Sequence, residues 1–282
     1  KGIFSGTVTV PFGIGVAINE TTFPDENFRT YVKENFDTTA DDILTVSELE
    51  QVIEIDVSYK EISDLTGVEY FAALQRLNCF DNNLTKLDVR QNAALQALFC
   101  DNNNLTALDL SQNKALQLLF CDNNNLTVLD LSQNTALQEL RCSYNNLTEL
   151  DLHQNSALQT VMCYNNNLIA LDVQQNTALQ ELDCFNNNLT ELNVRQNAAL
   201  QVLSCSNNQL KELDVRQNSA LQELYCDDNN LTTLDVRQNK ELEKLYCSNN
   251  NLAELDVRQN VALQVLWCNK NNLTALDLSQ NT

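Results

Sequence analysis

The sequence predicts an α/β-type repeat solenoid, mostly β-structure, shaped as a rod with a parallel sheet on one face and a small helical N-terminal cap. The main observation is a fixed period: ten cysteines, from Cys79 to Cys268, are each 21 residues apart. Asn82 and Asn92 each begin a column of asparagines with the same spacing. Self-similarity at such a period indicates stacked structural repeats. A unit this short cannot bury its apolar face alone, so neighbouring units must stack.

One repeat can be written LxxLxCxxNxLxxLDVxxNxA. Side chains alternate across a strand, so Leu77 and Cys79 are predicted to point inward while the residue between them points outward. Leu87 and Val89 form a second inward pair. All five glycines precede residue 68 and both prolines precede residue 25. Asparagine must therefore form the turns, since it tolerates left-handed backbone angles. Stacked asparagines such as Asn82 are expected to form a ladder of mutually bonded amides.

The motifs LxxLxCxxNxL and LDVxxN resemble the bacterial leucine-rich-repeat proteins of the short 21-residue, cysteine-ladder class. The resemblance covers residues 74–282 and a divergent first coil, from Ile55 through Ile62 and Leu65. It implies a right-handed solenoid, a mostly β leucine-rich-repeat rod with a parallel sheet on one face. Proteins of this class are usually secreted or displayed on a bacterial surface for binding, so the same is expected of this chain.

Two regions are predicted. Residues 1–52 form an N-terminal segment and helical cap, and residues 53–282 form the solenoid, a divergent first coil followed by ten 21-residue repeats. Residues 1–16 are apolar with small residues and a leading Lys1. This composition fits the tail of a secretory signal, or a strand at residues 7–10 followed by a turn. Both interpretations remain open at this stage.

The cap is predicted to contain two helices. Pro24 followed by DENFRTYVKENF indicates a helix start, with Phe28 and Val32 on its apolar side together with Tyr31 and Phe36. Thr45 and Glu48 form a capping box that opens a second helix. A helical lid is what the exposed apolar end of a solenoid requires.

The segment between these helices resembles a calcium-binding EF-hand loop. Asp37, Asp41 and Glu48 occupy positions 1, 5 and 12 of that pattern. Thr39 replaces the usual acid at position 3, and Asp42 stands where glycine normally permits the sharp turn. The sequence therefore favours a helix–loop–helix cap without an ion and predicts no cofactor, with calcium at these three residues as the alternative.

The ten cysteines are predicted to be free and buried. All occupy the same inward position, so adjacent thiols stack about 4.8 Å apart with parallel side chains, a poor geometry for a disulfide. Zinc needs ligands that converge on one point, and a one-dimensional column does not converge. Disulfides and a metal site are the less favoured alternatives. Buried cysteine behaves as a small apolar residue, which suits a narrow coil.

The acidic composition limits the classes of partner. Lysine and arginine number 17 against 38 aspartates and glutamates, a formal net charge of −21. Nucleic acid and anionic membranes both favour basic surfaces, so neither is expected as a partner. No segment after residue 16 is long and apolar enough to span a bilayer, so membrane insertion within this chain is not expected.

An enzyme is not expected either. Catalysis needs convergent titratable groups in a cleft. The single histidine, His153, lies in a slot that other repeats fill with arginine or serine, and it is predicted to be an ordinary surface residue. Serines and carboxylates recur in columns rather than as a unique constellation, so no catalytic residues are predicted.

A column of aspartates follows the LDV segments from Asp88 to Asp277, interrupted once by Asn193. Neighbouring carboxylates about 4.8 Å apart repel one another, by about 0.9 kcal/mol in a water-like dielectric. Arginines two residues later are predicted to lie between these carboxylates; they are Arg90, Arg216, Arg237 and Arg258. In coils without arginine, the carboxylates are expected to accept backbone or glutamine N–H bonds or to bind cations weakly. A calcium ladder is the alternative.

Repeat positions whose residue type varies from coil to coil are not required for the core, so their side chains can contact a partner. The positions on either side of the cysteines vary, and the aromatic residues cluster in three places: Phe80/Phe99/Phe120, Tyr144/Tyr164/Phe185 and Tyr225/Tyr246/Trp267. Exposed aromatics surrounded by Asp and Ser are typical of binding hot spots. The candidate ligand-binding residues are Phe99, Phe120, Tyr144, Tyr164, Phe185, Tyr225, Tyr246 and Trp267. Stacking that only stabilises the sheet is the alternative.

These features predict a secreted or cell-surface binding module, adhesin-like, that recognises a protein or carbohydrate ligand through its strand face. The alternative is a rigid structural spacer that displays another domain. A spacer should vary equally on all faces, whereas the aromatic residues of this chain are concentrated on one.

Overall fold

The computed structural model of the protein describes residues 15–281. The two interpretations of the N-terminal segment, a signal remnant and a strand at residues 7–10, lie outside the described residues. Val16–Ala17 (β1) pairs antiparallel with Ile43–Leu44 (β2), and helices α1 (Glu26–Phe36) and α2 (Val46–Gln51) lie on either side of β2 in the chain. This cap precedes the repeats, as expected.

One parallel sheet of eleven strands runs through the rest of the structure, in the spatial order β13 to β3 that follows the chain. Each coil contributes one three-residue strand, and pairing joins identical repeat positions, such as Leu224 with Leu245. The strands are β3 (Glu54–Asp56), β4 (Arg76–Asn78), β5 (Ala97–Phe99), β6 (Leu118–Phe120), β7 (Glu139–Arg141), β8 (Thr160–Met162), β9 (Glu181–Asp183), β10 (Val202–Ser204), β11 (Glu223–Tyr225), β12 (Lys244–Tyr246) and β13 (Val265–Trp267). The predicted solenoid is confirmed.

The LDV segments are extended but are not strands of a second continuous sheet. Leu87 and Val89 point inward as predicted and are 8% and 0% exposed. Only isolated bridges join these segments within residues 15–281, at Asp88 with Asp109 and at Asp172 with Asn193. A short helical turn, Val68–Tyr70 (η1), lies after the cap and precedes the first 21-residue repeat. The described coils therefore contain no α-helix on this side, which agrees with the predicted, mostly β rod.

The cap closes one end of the apolar core. Phe28 and Val32 of α1 are fully buried. The ring of Phe71, at the start of the solenoid, contacts Phe36 of α1 and Phe23 before it, with centroids 5.4 and 6.4 Å apart. Asp25 caps α1, and Thr45 with Glu48 forms the predicted capping box of α2. The apolar side of the first coil is therefore covered rather than exposed to water.

The buried asparagines bond backbone groups rather than one another. Asn103 donates from Nδ2 to the carbonyl of Cys79 in the preceding coil at 2.9 Å and to that of Cys100 at 3.1 Å. Its Oδ1 accepts from the Leu84 N–H at 3.0 Å. In the second column, Asn113 donates to the backbone carbonyl of Asn92. The predicted ladder of mutually bonded amides is wrong for these columns, because each Nδ2 donates instead to backbone carbonyls, including one of the preceding coil.

The turn after each cysteine uses a left-handed residue two positions later. Asn102 and Asn123 have φ of 53° and 51° there, as predicted for asparagine. Tyr144 and Lys270 adopt the same conformation, so the stacked coils impose it on other residue types. Amide-to-amide bonds occur in this exposed column, from Asn186 to Asn165.

The predicted free thiols are confirmed. All ten cysteines are free; nine are buried and Cys268, in the last coil, is half-buried. Burial raises the pKa of every one of them, that of Cys205 to about 12. The column therefore remains protonated near neutral pH and packs as small apolar side chains.

Candidate binding surface

Each strand presents three outward positions: its first residue, its third residue and the residue after the cysteine. These three columns, stacked over the coils, are the strand face. For β4 they are Arg76, Asn78 and Phe80, all partly exposed, while Leu77 and Cys79 between them are fully buried. The predicted alternation is confirmed, and side chains of successive coils meet along each column at the strand spacing. We number the coils 1 to 10, from Cys79 to Cys268.

The first aromatic group differs from the predicted cluster. Phe99 and Phe120 pair edge to face with centroids 4.9 Å apart. Phe80 does not join them; it pairs instead with Tyr59 at 5.0 Å, because it lies in the neighbouring column. The guanidinium groups of Arg76 and Arg141 lie over the faces of Phe99 and Phe120, each 4.3 Å from the ring centroid. Both rings of this pair therefore already have a cation of the same chain over one face.

The second group forms one continuous stack. Tyr144 meets Tyr164 edge to face at 5.4 Å, and Tyr164 stacks on Phe185 with centroids 4.6 Å apart and planes inclined by 10°. Tyr144 is 49% exposed, and the other two rings are partly buried. Within residues 15–281 no cation lies over any of these three rings.

The third group is also stacked. Tyr225 and Tyr246 are 4.9 Å apart, and Tyr246 and Trp267 are 5.4 Å apart, close to the strand spacing expected from the repeat. Trp267 is 58% exposed. It lies in β13, which has a neighbouring strand on one side only, so part of this exposure reflects its place at the edge of the sheet.

Acidic side chains outnumber cations on the strand face. Its three cations are each paired there with a glutamate; the pairs are Arg76–Glu54 at 2.9 Å, Arg141–Glu139 at 2.6 Å and Lys244–Glu223 at 2.8 Å. Four aspartates of this face form no ion pair with a cation in the described part of the chain. Burial raises the pKa of Asp101, Asp122, Asp183 and Asp227, that of Asp122 to about 6. These ion pairs, and the arginines over Phe99 and Phe120, were not predicted from the sequence, because most of them join side chains of neighbouring coils.

On the opposite side, formed by the LDV segments, the arginines pair with aspartates of the same chain. Arg90 bonds both oxygens of Asp88 in its own coil, at 2.9 and 2.6 Å, rather than lying between coils as predicted. Arg195 is the exception: its own coil has Asn193, and it reaches Asp214 of the next coil at 2.8 Å. A groove of about 740 Å³ runs from Arg195 along the Asp–Arg pairs of coils 7 to 9. Its charges are largely matched by neighbours, so it offers few unsatisfied groups to a ligand.

In coils without arginine, the aspartates of this side accept backbone N–H bonds, as predicted. Ser111 N–H donates to Asp109 at 3.0 Å, and equivalent bonds recur in the next three coils. His153 is a surface residue, as predicted, but its ring also joins two coils. Nδ1 lies 2.7 Å from Asp151 and Nε2 lies 3.3 Å from Asp172. The bond to Asp151 raises the histidine pKa.

The EF-hand-like loop is bonded internally. Asp37 accepts from the N–H groups of Asp41 and Asp42 at 3.3 and 3.0 Å, and Asp42 adopts a left-handed φ of 61° without glycine. Both carboxylate oxygens of Glu48 accept hydrogen bonds, from Thr38 and Thr45, which lower its pKa to about 2. Within residues 15–281, no three His, Cys, Asp or Glu side chains are arranged to hold a metal ion.

This geometry defines a leucine-rich-repeat solenoid with a cysteine ladder. No protein-family model matches the chain. The functional domain of internalin J from Listeria monocytogenes, which includes a cysteine ladder, is 34% identical; the match covers 95% of this chain and 74% of that domain, with a TM-score of 0.55. The chain therefore belongs to the internalin-like leucine-rich-repeat proteins of the cysteine-ladder class.

Other relatives agree with this assignment. A leucine-rich-repeat protein of Leptospira interrogans is 25% identical over 85% of this chain and 79% of its own, with a TM-score of 0.56. A second Listeria internalin, 19% identical with a TM-score of 0.65, shares the fold over 97% of both chains. Sequence comparison with curated internalin J gives 40% identity over 70 residues, which are 25% of this chain and 8% of that protein. The chain thus matches a small part of its curated relative.

Internalin-like leucine-rich-repeat proteins are typically protein-binding surface modules and not enzymes. Among residues 15–281, no helix has the length and apolar character needed to cross a membrane.

Proposed function

We propose that this protein is a secreted or cell-surface binding module, adhesin-like, that recognises a partner protein through the strand face. The observation that carries this proposal is the concentration of aromatic side chains there. On this face Trp267 is 58% exposed, and the rings of Tyr246 and Tyr225 follow it in the same column. Tyr144, 49% exposed, lies in the adjacent turn column and contacts the strand-face ring of Tyr164. Aromatic rings carry large apolar area on few rotatable bonds, so they are well suited to anchor a partner.

The two sides of the solenoid differ in a way that favours this assignment over a rigid spacer. On the LDV side, the same Asp–Arg pair recurs from coil to coil, as at Asp235–Arg237 and Asp256–Arg258. On the strand face, equivalent positions change from arginine to methionine to aspartate to tyrosine. A spacer needs neither this variation nor exposed rings. A carbohydrate ligand is the second candidate, because stacked rings also suit sugar faces.

Partner binding in this proposal needs no cofactor. Calcium at Asp37, Asp41 and Glu48 would instead stabilise the cap. The melting temperature of the protein in calcium and in a chelator tests this point, since a calcium-free cap predicts equal values.

Screening the protein against arrays of host proteins and glycans tests the proposed function. The double variant Tyr225→Ala/Tyr246→Ala removes two strand-face rings and is expected to reduce the captured signal about tenfold or more. The matched control Val128→Ala/Ile169→Ala removes side chains that are 59% and 67% exposed away from the strand face. It should leave the signal unchanged. Equal losses, or no partner above background, would favour the spacer.

A further inference from the structure

Coil 7 forms a notch across the strand face. Its three outward residues are Val202, Ser204 and Ser206, which are small and partly buried. Coil 6 carries Glu181, Asp183 and Phe185 at the same positions, and coil 8 carries Glu223, Tyr225 and Asp227. Strands two positions apart are separated by about 10 Å, so two walls with larger side chains face each other across the serines. We call this feature the coil-7 notch.

The same sheet shows how an aromatic ring is covered elsewhere. In the column of Phe120, the next coil provides Arg141, whose guanidinium lies 4.3 Å from the ring centroid. In the column of Phe185, the next coil provides Ser206, whose side chain is too short to cover a ring. Tyr164 stacks on the other face of Phe185. Coil 7 therefore places no cation over Phe185 in the way that Arg141 lies over Phe120.

The walls of the notch carry unbalanced negative charge. Glu223 is paired with Lys244, whereas Glu181, Asp183 and Asp227 have no ion pair within residues 15–281. Asp183 accepts a long bond of 3.4 Å from the Phe185 N–H. Asp227 accepts from the Ser248 N–H at 2.8 Å and lies 3.5 Å from the Ser206 hydroxyl. Burial raises the pKa of both aspartates, and neither carboxylate has a cation partner within residues 15–281. Partly buried carboxylates beside a free ring face favour a cation.

We propose that the coil-7 notch binds an arginine or lysine side chain of the partner protein, with the cation over Phe185 and between Asp183 and Asp227. This inference rests on the proposed function and specifies the chemistry of the partner. The contact between the Arg141 guanidinium and the Phe120 ring is an example of the proposed interaction within the same molecule. A planar guanidinium can stack on the ring while its N–H groups reach carboxylates, so arginine should bind better than lysine.

The test uses a fluorescein-labelled peptide of glycine and serine with two arginines, followed by fluorescence anisotropy at physiological ionic strength. The same peptide with neutral citrulline in place of arginine is the probe control. Ser206→Arg places the protein's own guanidinium over Phe185 and is expected to weaken arginine-peptide binding at least about fivefold. Ser132→Arg makes the same substitution and charge change beside Asp130 on the LDV side. It should change binding less than about twofold.

Asp183→Asn/Asp227→Asn gives a second measurement that does not fill the notch. It is compared with Glu191→Gln/Glu212→Gln, which removes two exposed charges away from the notch. Selective loss in the aspartate variant supports the proposal. Equal losses in both pairs mean non-specific attraction to an acidic protein and overturn it, as does equal binding of the citrulline peptide or no binding of the arginine peptide. Circular dichroism confirms that each variant is folded.

The array experiment separates this inference from the proposed function. A captured protein or glycan that loses binding with Tyr225→Ala/Tyr246→Ala but not with Ser206→Arg supports the strand face and refutes the notch. A captured glycan, together with no binding of the arginine peptide, replaces the basic partner with a carbohydrate. A captured protein that is lost with Ser206→Arg and retained with Ser132→Arg supports both.

Discussion

Replacing Asn166 with alanine should destabilise the solenoid although the side chain carries no charge and makes no contact with a partner. Its Nδ2 donates to the carbonyls of Cys142 and Cys163 at 3.0 and 3.1 Å, and its Oδ1 accepts from the Leu147 N–H at 3.0 Å. Cys142 and Leu147 belong to the preceding coil. The variant leaves the buried Leu147 N–H unpaired, which costs about 1–3 kcal/mol. Both carbonyls lose one donor but keep another, because Asn145 and Asn187 donate to Cys142 and Cys163 as well.

Asn167→Ala is the matched control, because Asn167 is exposed and only its backbone N–H is bonded, to Leu147 at 2.8 Å. It should change the free energy of unfolding by less than about 0.5 kcal/mol. Urea unfolding followed by circular dichroism compares the two variants with the wild type. If Asn166→Ala is destabilised no more than Asn167→Ala, the asparagine column does not join the coils energetically, and the interpretation of these bonds is wrong.

Three further predictions concern titration, thiols and fluorescence. Burial raises the pKa of Asp122 to about 6 from 3.8, so the folded state binds the carboxyl proton more tightly than the unfolded state. The free energy of unfolding should therefore fall as pH rises from about 4 to 6. Asp122→Asn should remove that loss, which is about 2 kcal/mol at pH 8 when measured by urea unfolding. No difference between wild type and variant at pH 8 contradicts this. A thiol reagent should react first with half-buried Cys268 and reach ten equivalents only after denaturation; ready reaction in native protein would refute the buried column. Trp267 fluorescence should be quenched by iodide in free protein and become protected as a partner is added; a Trp267 already shielded in free protein would remove it from the binding surface.

The repeat made most of the fold predictable from sequence. A 21-residue period with Leu77, Cys79, Leu87 and Val89 at fixed positions determines which side chains point inward, and all four are buried. The free thiols followed from the same register, since one inward column cannot bring sulfurs together at disulfide geometry. The cap helices were predictable because α2 has a capping box and α1 has an apolar stripe.

Hydrogen-bond partners were harder to predict than positions. The sequence shows that asparagines stack, but whether an amide bonds another amide or a carbonyl depends on distances that only the coil geometry sets. Asn103 Nδ2 donates to the Cys79 carbonyl at 2.9 Å instead of to a neighbouring amide. Arg90 likewise selects Asp88 of its own coil, because two residues along an extended segment allow both oxygens to be bonded at once.

The composition of the binding surface was also hidden, because each patch combines three columns and several coils. Phe80 and Phe99 look like members of one cluster in the sequence, yet they belong to neighbouring columns and have different partners. Conversely, Ser206 follows Phe185 in its own column, just as Arg141 follows Phe120 in the neighbouring column. In a solenoid, a position therefore acquires functional meaning from the residues 21 positions before and after it. In the proposed notch, the small side chain of Ser206 lies between Phe185 of one neighbouring coil and Asp227 of the other, and it leaves space for a side chain of the partner.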